Sequence, residues 1–154
     1  MSDQNAGQSM QVQFNQFVRA PIERVYAAYV DPALMPTWME LRAVIDLSGP
    51  LDRAGTRFTQ VVFGSWWRFR AEVLRADPPI LHEMAGRAPL ATMYRWLARF
   101  APEGEGTRVT LETGSRAFGA LDPLAERIFA RSGESQARRH LATFAALAEG
   151  APGV

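Results

Sequence analysis

Seven residues spread along the chain have types that suit the capture of an apolar or amphipathic molecule: Gln16, Gln60, Trp67, Phe69, Tyr94, Trp96 and Phe100. Each stands where period-two alternation would put it on the inward face of a sheet. The aromatics would form an apolar wall, and the amides and the phenol would orient a ligand's polar atoms. A buried amide without a partner costs about 1 to 3 kcal/mol, so these polar groups either satisfy one another or face a cavity. Proton transfer would need a group whose pKa lies near the working pH. The candidates are Tyr94 and, according to strand phase, His82 or Glu83. No carboxylate–histidine pair stands out in the sequence, so catalysis is permitted and not indicated.

Other chemistry is excluded or disfavoured by composition. The chain has no cysteine and two histidines, His82 and His140, so disulfides and thiolate ligands are excluded and neither a metal nor a cofactor is expected. All 17 basic residues are arginine, which removes lysine Schiff-base chemistry and a P-loop lysine. A net charge of +1 gives no global field for nucleic acid. No apolar run reaches the roughly 18 residues of a membrane span, and the start "MSDQNAGQS" lacks the pattern of a targeting peptide. A cytoplasmic setting is expected, with a small hydrophobic ligand as partner. His140, in the arginine-rich "SQARRH", is expected to be solvated.

The elements that must position these groups follow from periodicity. Residues 10 to 19 alternate as a strand, with Val12, Phe14, Gln16 and Val18 on one face. "APIERVYAAYV" then has helical spacing behind Pro21, and Asp31 can cap a second short helix, "PALMPTW". Six strands follow at about 40 to 48, 56 to 63, 66 to 75, 80 to 85, 91 to 100 and 107 to 115, divided by Gly- and Pro-containing breaks. From Leu121 to Glu149 the period is helical again. Gly64 and Ser65 predict a two-residue hairpin pairing Phe63 with Trp66, Gln60 with Phe69 and Arg57 with Glu72. Trp67 would then face inward. Trp66, Phe63, Val61, Arg68 and Arg70 would face outward, with Arg95 and Arg99 beside them. The phase of residues 80 to 85 is unresolved, because Ile80/His82/Met84 and Leu81/Glu83/Ala85 are equally apolar.

The last helix reads "RSGESQARR" in its middle, where Ser132, Ser135 and Arg139 would face the sheet and leave volume that close packing at about 0.74 density must fill. The alternative is a helix broken at Ser132-Gly133. The outer strip of Phe63, Trp66 and Phe17 could pair two copies into a homodimer, or with the arginines serve a protein partner.

In the order "APIERVYAAYVDPALMPTW", "GPLDRAGTRF", "EVLRADPPILHEMAG", "EGTRVTLET" and "RRHLATFAALAEG", the chain resembles the helix-grip superfamily of START domains, the birch-pollen allergen and polyketide cyclase/dehydrase-like proteins, often called SRPBCC. The resemblance covers about residues 10 to 149, leaving 1–9 and 150–154 as tails of a single domain. It implies an α+β fold: a curved antiparallel sheet of seven strands, two short helices after the first strand, and a long C-terminal helix over a cavity. It also implies a lid, carried here by Tyr29, Met35 and Trp38. Family members bind lipids, hormones and polyketides, some catalyse cyclase, aromatase or dehydrase reactions, and others bind chaperones or ribosomes. Function must therefore be argued from the site.

Overall fold

The structure, a computed structural model, describes residues 12–63, 67–89, 92–116 and 123–150. The first strand, β1 (Val12–Val18), buries Phe14 and Val18 and leaves the alternate positions Gln13 and Asn15 exposed. Pro21, at φ −66°, leads directly into α1 (Ile22–Tyr29), whose buried stripe is Val25, Tyr26 and Tyr29. The carboxylate of Asp31 accepts the Ala33 N–H at 2.8 Å and starts the turns that become α2 (Met35–Trp38).

Six strands follow: β2 (Ala43–Ile45), β3 (Arg57–Phe63), β4 (Trp67–Asp77), β5 (Leu81–Ala88), β6 (Thr92–Glu103) and β7 (Gly106–Arg116). They form one antiparallel sheet in the order β1-β7-β6-β5-β4-β3-β2, so β2 to β7 are a meander and β1 returns to the edge of β7. The turn from β6 to β7 is closed by the Glu103–Gly106 pair, and Gly104, at φ 60°, takes the left-handed backbone this tight connection requires. The helix α3 (Pro123–Ala148) closes the chain over the sheet. This is the helix-grip architecture.

Local departures from expectation have local causes. The strand predicted over 40 to 48 shrinks to three residues because Glu40 and Asp46 hold φ of 54° and 57°, which no strand accommodates. In the β3–β4 hairpin Arg57 pairs with Glu72 and Gln60 with Phe69 as predicted, but an irregularity at Val62 shifts the end, so Phe63 pairs with Trp67 and not with Trp66. The predicted Gly64-Ser65 turn and Trp66 lie outside the described residues. Val61, expected on the outer face, is buried, flanked in register by Ala43 and Arg68.

The helix α3 runs through Ser132-Gly133 without a break. Its phase is set by Ala137, Leu141, Phe144, Ala145 and Ala148, all buried, a spacing of one helical face. That phase leaves Ser135 and Arg139 exposed, so the small residue turned toward the sheet is Ala137 and not Ser135. The side chain of Ser132 is outside those described.

Candidate functional site

The interior lies between the inner sheet face and the three helices, and aromatic rings run through it without interruption. Tyr29 stacks on Trp38 at 5.1 Å and meets Phe100 and Phe144 edge-on at 5.3 and 5.6 Å. Trp38 continues to Trp96 at 6.0 Å, and Trp96 to Tyr94 at 6.3 Å. Tyr94 meets Phe69 at 5.3 Å. The sheet supplies Phe69, Tyr94, Trp96 and Phe100 by alternation on β4 and β6, and the short helices supply Tyr29 and Trp38. The lid expected of Tyr29, Met35 and Trp38 is fully buried against this wall.

The paired glutamine and tyrosine resolve one question the sequence leaves open. The Tyr94 hydroxyl donates to Gln60 Oε1, and Gln60 Nε2 turns to the sulfurs of Met35 and Met39 at 3.7 and 3.5 Å. Gln60 and Tyr94 thus satisfy one another, with thioethers as weak acceptors for the amide donors. Burial drives the Tyr94 pKa well above the usual phenol value, partly offset by the Gln60 bond, so the hydroxyl stays protonated at any ordinary pH. Gly86 lies opposite Tyr94 in register, and a Cβ there would fall on the tyrosine ring. Gln16, on the same inner face of β1, is half-buried and donates to the Phe17 carbonyl at 3.1 Å.

His82 settles the phase of β5. It is fully buried with Met84 and Gly86 on the inner face, and its Nε2 donates to the Leu51 carbonyl at 2.8 Å. Tyr29 and Tyr26 contact its ring at 5.3 and 6.4 Å. Burial lowers its pKa, with the Leu51 bond opposing, so the imidazole is neutral. The Tyr26 hydroxyl reaches the Leu81 carbonyl at 3.4 Å, and burial pushes its pKa up to about 12. Among the described residues neither Tyr94 nor His82, two acid–base candidates, is in hydrogen-bond contact with a carboxylate. Glu83 faces the outer side, yet is buried beneath Arg75 and Arg95, whose guanidinium groups lie 2.6 and 2.5 Å from it. Burial works to raise its pKa, but the hydrogen bonds and charges of Arg75 and Arg95 together hold it below the usual range.

The expectation of a solvated His140 is overturned. The residue is only 5% exposed, because the α3 phase that turns Ala137 and Phe144 inward carries position 140 with them. Its ring lies 5.9 Å from that of Trp96, and its Nε2 is 3.6 Å from Glu40 Oε2, beyond hydrogen-bond range. Burial lowers its pKa, and Glu40 partly restores it. Glu40 itself is clasped by Arg139 through contacts of 2.5 and 2.7 Å, which tie the end of α2 to α3. Glu40 and His140 were therefore absent from the sequence-based site, although the spacing to Leu141 and Phe144 carried the signal for His140.

Four buried side chains in this interior have polar atoms with no hydrogen-bond partner among the described residues: Tyr29 Oη, Trp38 Nε1, His82 Nδ1, and both ring nitrogens of His140. Trp67 and Phe69, at the outer end of the inner face, are half-buried, as is Tyr94. No group of three metal-ligating side chains occurs among the described residues, and no described helix is long and apolar enough to cross a membrane. Of the expected dimer strip, Phe17 lies half-buried with Arg108 over its ring at 5.6 Å, while the side chains of Phe63 and Trp66 are not described.

A family profile described as "polyketide cyclase / dehydrase and lipid transport" matches residues 9–149. A protein from Thermus thermophilus superposes with a TM-score of 0.68 at 21% identity, over 94% of this chain and 100% of that one. CalU16 from Micromonospora echinospora gives 0.60 at 22% identity, over 92% of this chain and 79% of the other. Ara h 8.0201 gives 0.67 at 10% identity, over 90% of this chain and 96% of that one. At these identities the solved structures share the fold alone. No curated protein matches the chain in sequence.

Proposed function

Because the chain belongs to the polyketide cyclase/dehydrase and lipid transport family, which has a hydrophobic-ligand-binding fold, we propose that it binds a small hydrophobic or amphipathic molecule between the sheet and α3. The proposed molecule is lipid-, polyketide- or hormone-like. The observation that carries it is the uneven burial of the inner face. Phe58, Val73, Met84 and Phe100 are sealed, whereas Trp67, Phe69 and Tyr94 remain half-open on the same concave side. Inward-facing aromatics that keep contact with solvent mark the end at which an apolar molecule can enter and be covered.

Trp67 and Phe69 are assigned to the entrance, Trp96 and Phe100 to the wall, and Gln60, Tyr94 and Gln16 to a polar band on the sheet. Because Gln60 and Tyr94 already bond to each other, the band helps to fix the shape of the wall as well as to meet the ligand. Native mass spectrometry before and after organic extraction tests the proposal. The expected result is an apolar mass that extraction removes and re-addition restores. A protein that neither carries nor takes up any apolar molecule overturns it.

A further inference from the structure

Trp38 and His140 come from different helices and converge on one ring, that of Trp96, at centroid distances of 6.0 and 5.9 Å. Both are sealed from solvent, at 1% and 5% exposure. Yet Trp38 Nε1 and both nitrogens of His140 have no hydrogen-bond partner among the described residues, and neither does the Tyr29 hydroxyl, whose ring stacks on Trp38. Buried donors and acceptors are almost always paired, and each one left unpaired is costly. Several such atoms gathered at one aromatic cluster are the arrangement of a polar recognition site.

Their chemistry limits what they can receive. An indole N–H only donates, a neutral imidazole offers one donor and one acceptor, and a phenol does both. The charged groups nearby are already engaged with each other, Arg139 clasping both oxygens of Glu40, so neither is free to pair with an ionic ligand. The groups that bound the site are aromatic rings, with Tyr29 stacked on Trp38, and Trp38 and His140 tilted by 34° and 44° against Trp96.

Resting on the ligand-binding reading above, we infer that Trp38 and His140 are specificity-determining residues. They select a flat, neutral ligand that carries a keto or phenolic oxygen, which Trp38 Nε1–H and His140 receive against the face of Trp96. The sheet wall supplies general apolar affinity, and this pair at the α2–α3 junction decides which apolar molecule is held.

Three probes of one size separate the two ideas: naphthalene, 2-acetonaphthone and 2-naphthoate. Their affinities are measured by tryptophan fluorescence on the wild type and on Trp38→Phe and His140→Phe, each shown to be folded by circular dichroism. The inference expects the ketone to be favoured, and the ratio of naphthalene to ketone dissociation constants to fall ~3- to 10-fold in each variant, the effect of one lost hydrogen bond. Naphthalene affinity itself should hold. Naphthalene and ketone binding whose ratio neither variant changes overturns the inference and leaves the binding function standing. Naphthoate bound more tightly than the ketone by the wild type also overturns it, without recourse to any variant. If none of the probes binds the wild type, the ligand-binding reading fails and the inference with it.

Discussion

His82 and His140 both sit beneath the concave face of the sheet, both are buried, and burial keeps both neutral, yet their surroundings differ. His82 is held by the chain itself through one ring nitrogen, while its Nδ1 has no hydrogen-bond partner among the described residues. The loop before β3 brings the Leu51 carbonyl to its Nε2 at 2.8 Å, and Tyr26 and Tyr29 close around its ring. His140 has a ring neighbour in Trp96 but no hydrogen-bond partner among the described residues, and the carboxylate of Glu40, 3.6 Å away, is committed to Arg139. The same residue type thus serves as a packed structural group at one end of the interior and as an unengaged polar group at the other. Burial of a histidine does not reveal its role. Whether the fold also supplies its partners does.

The largest break of this comparison is His82→Ala. It removes a fully buried ring and leaves the Leu51 carbonyl without its donor, so a loss of about 3 kcal/mol is expected in urea unfolding. His140→Phe keeps a ring beside Trp96 and removes nitrogens that have no hydrogen-bond partner among the described residues, so it should cost much less. If His140→Phe destabilises as much as His82→Ala, the two ends are not different in kind.

A smaller effect sharpens the contrast on the sheet. Gly86→Ala would place a methyl group on the Tyr94 ring and push that ring away from Gln60. A loss of about 1 to 3 kcal/mol follows from overpacking of this kind, read as a lower thermal midpoint. Tyr94 and Gln60 are polar groups that have found partners, so they should behave like His82 and not like His140. An unchanged midpoint would show that the Tyr94 ring is free to move and that the polar band is not fixed.

The sequence reveals the fold largely because the signals are local and repeated. Alternation along residues 56 to 116 and helical spacing on either side give the element order, and the register of Arg57 with Glu72 follows from the short hairpin. What the pattern misses depends on backbone exceptions and on helix phase. Left-handed residues at Glu40 and Asp46 carry no apolar signature, so β2 is read as too long. The serines of "RSGES" draw attention to themselves, but the rotation of α3 is decided by Leu141 and Phe144, which turn His140 inward and Ser135 outward. The aromatic wall of the site is legible because strand alternation has only two faces. The Trp38–Trp96–His140 junction is not, since it depends on how two helices cross the sheet.

The smallest expected effect is in pH. Both histidines have folded-state pKa values below the ordinary value of 6.5, so between these and 6.5 the unfolded chain binds more protons than the folded one. Their contribution to stability is complete above about pH 6.5 and is lost as pH falls through that value toward the folded pKa. The lowered carboxylates, Glu83 and Glu40, act in the same direction only at lower pH, below the ordinary value of 4.5. The two ends should again separate. Glu40 favours the His140 imidazolium and offsets part of its desolvation, whereas at His82 the Leu51 carbonyl and the charge of Asp52 oppose a deeper burial. His82→Gln, which retains an N–H for Leu51, should therefore remove more of the fall in urea midpoint between about pH 7.5 and 5.5 than His140→Phe does. The reverse order would mean that the packed end and the open end have been assigned the wrong way round.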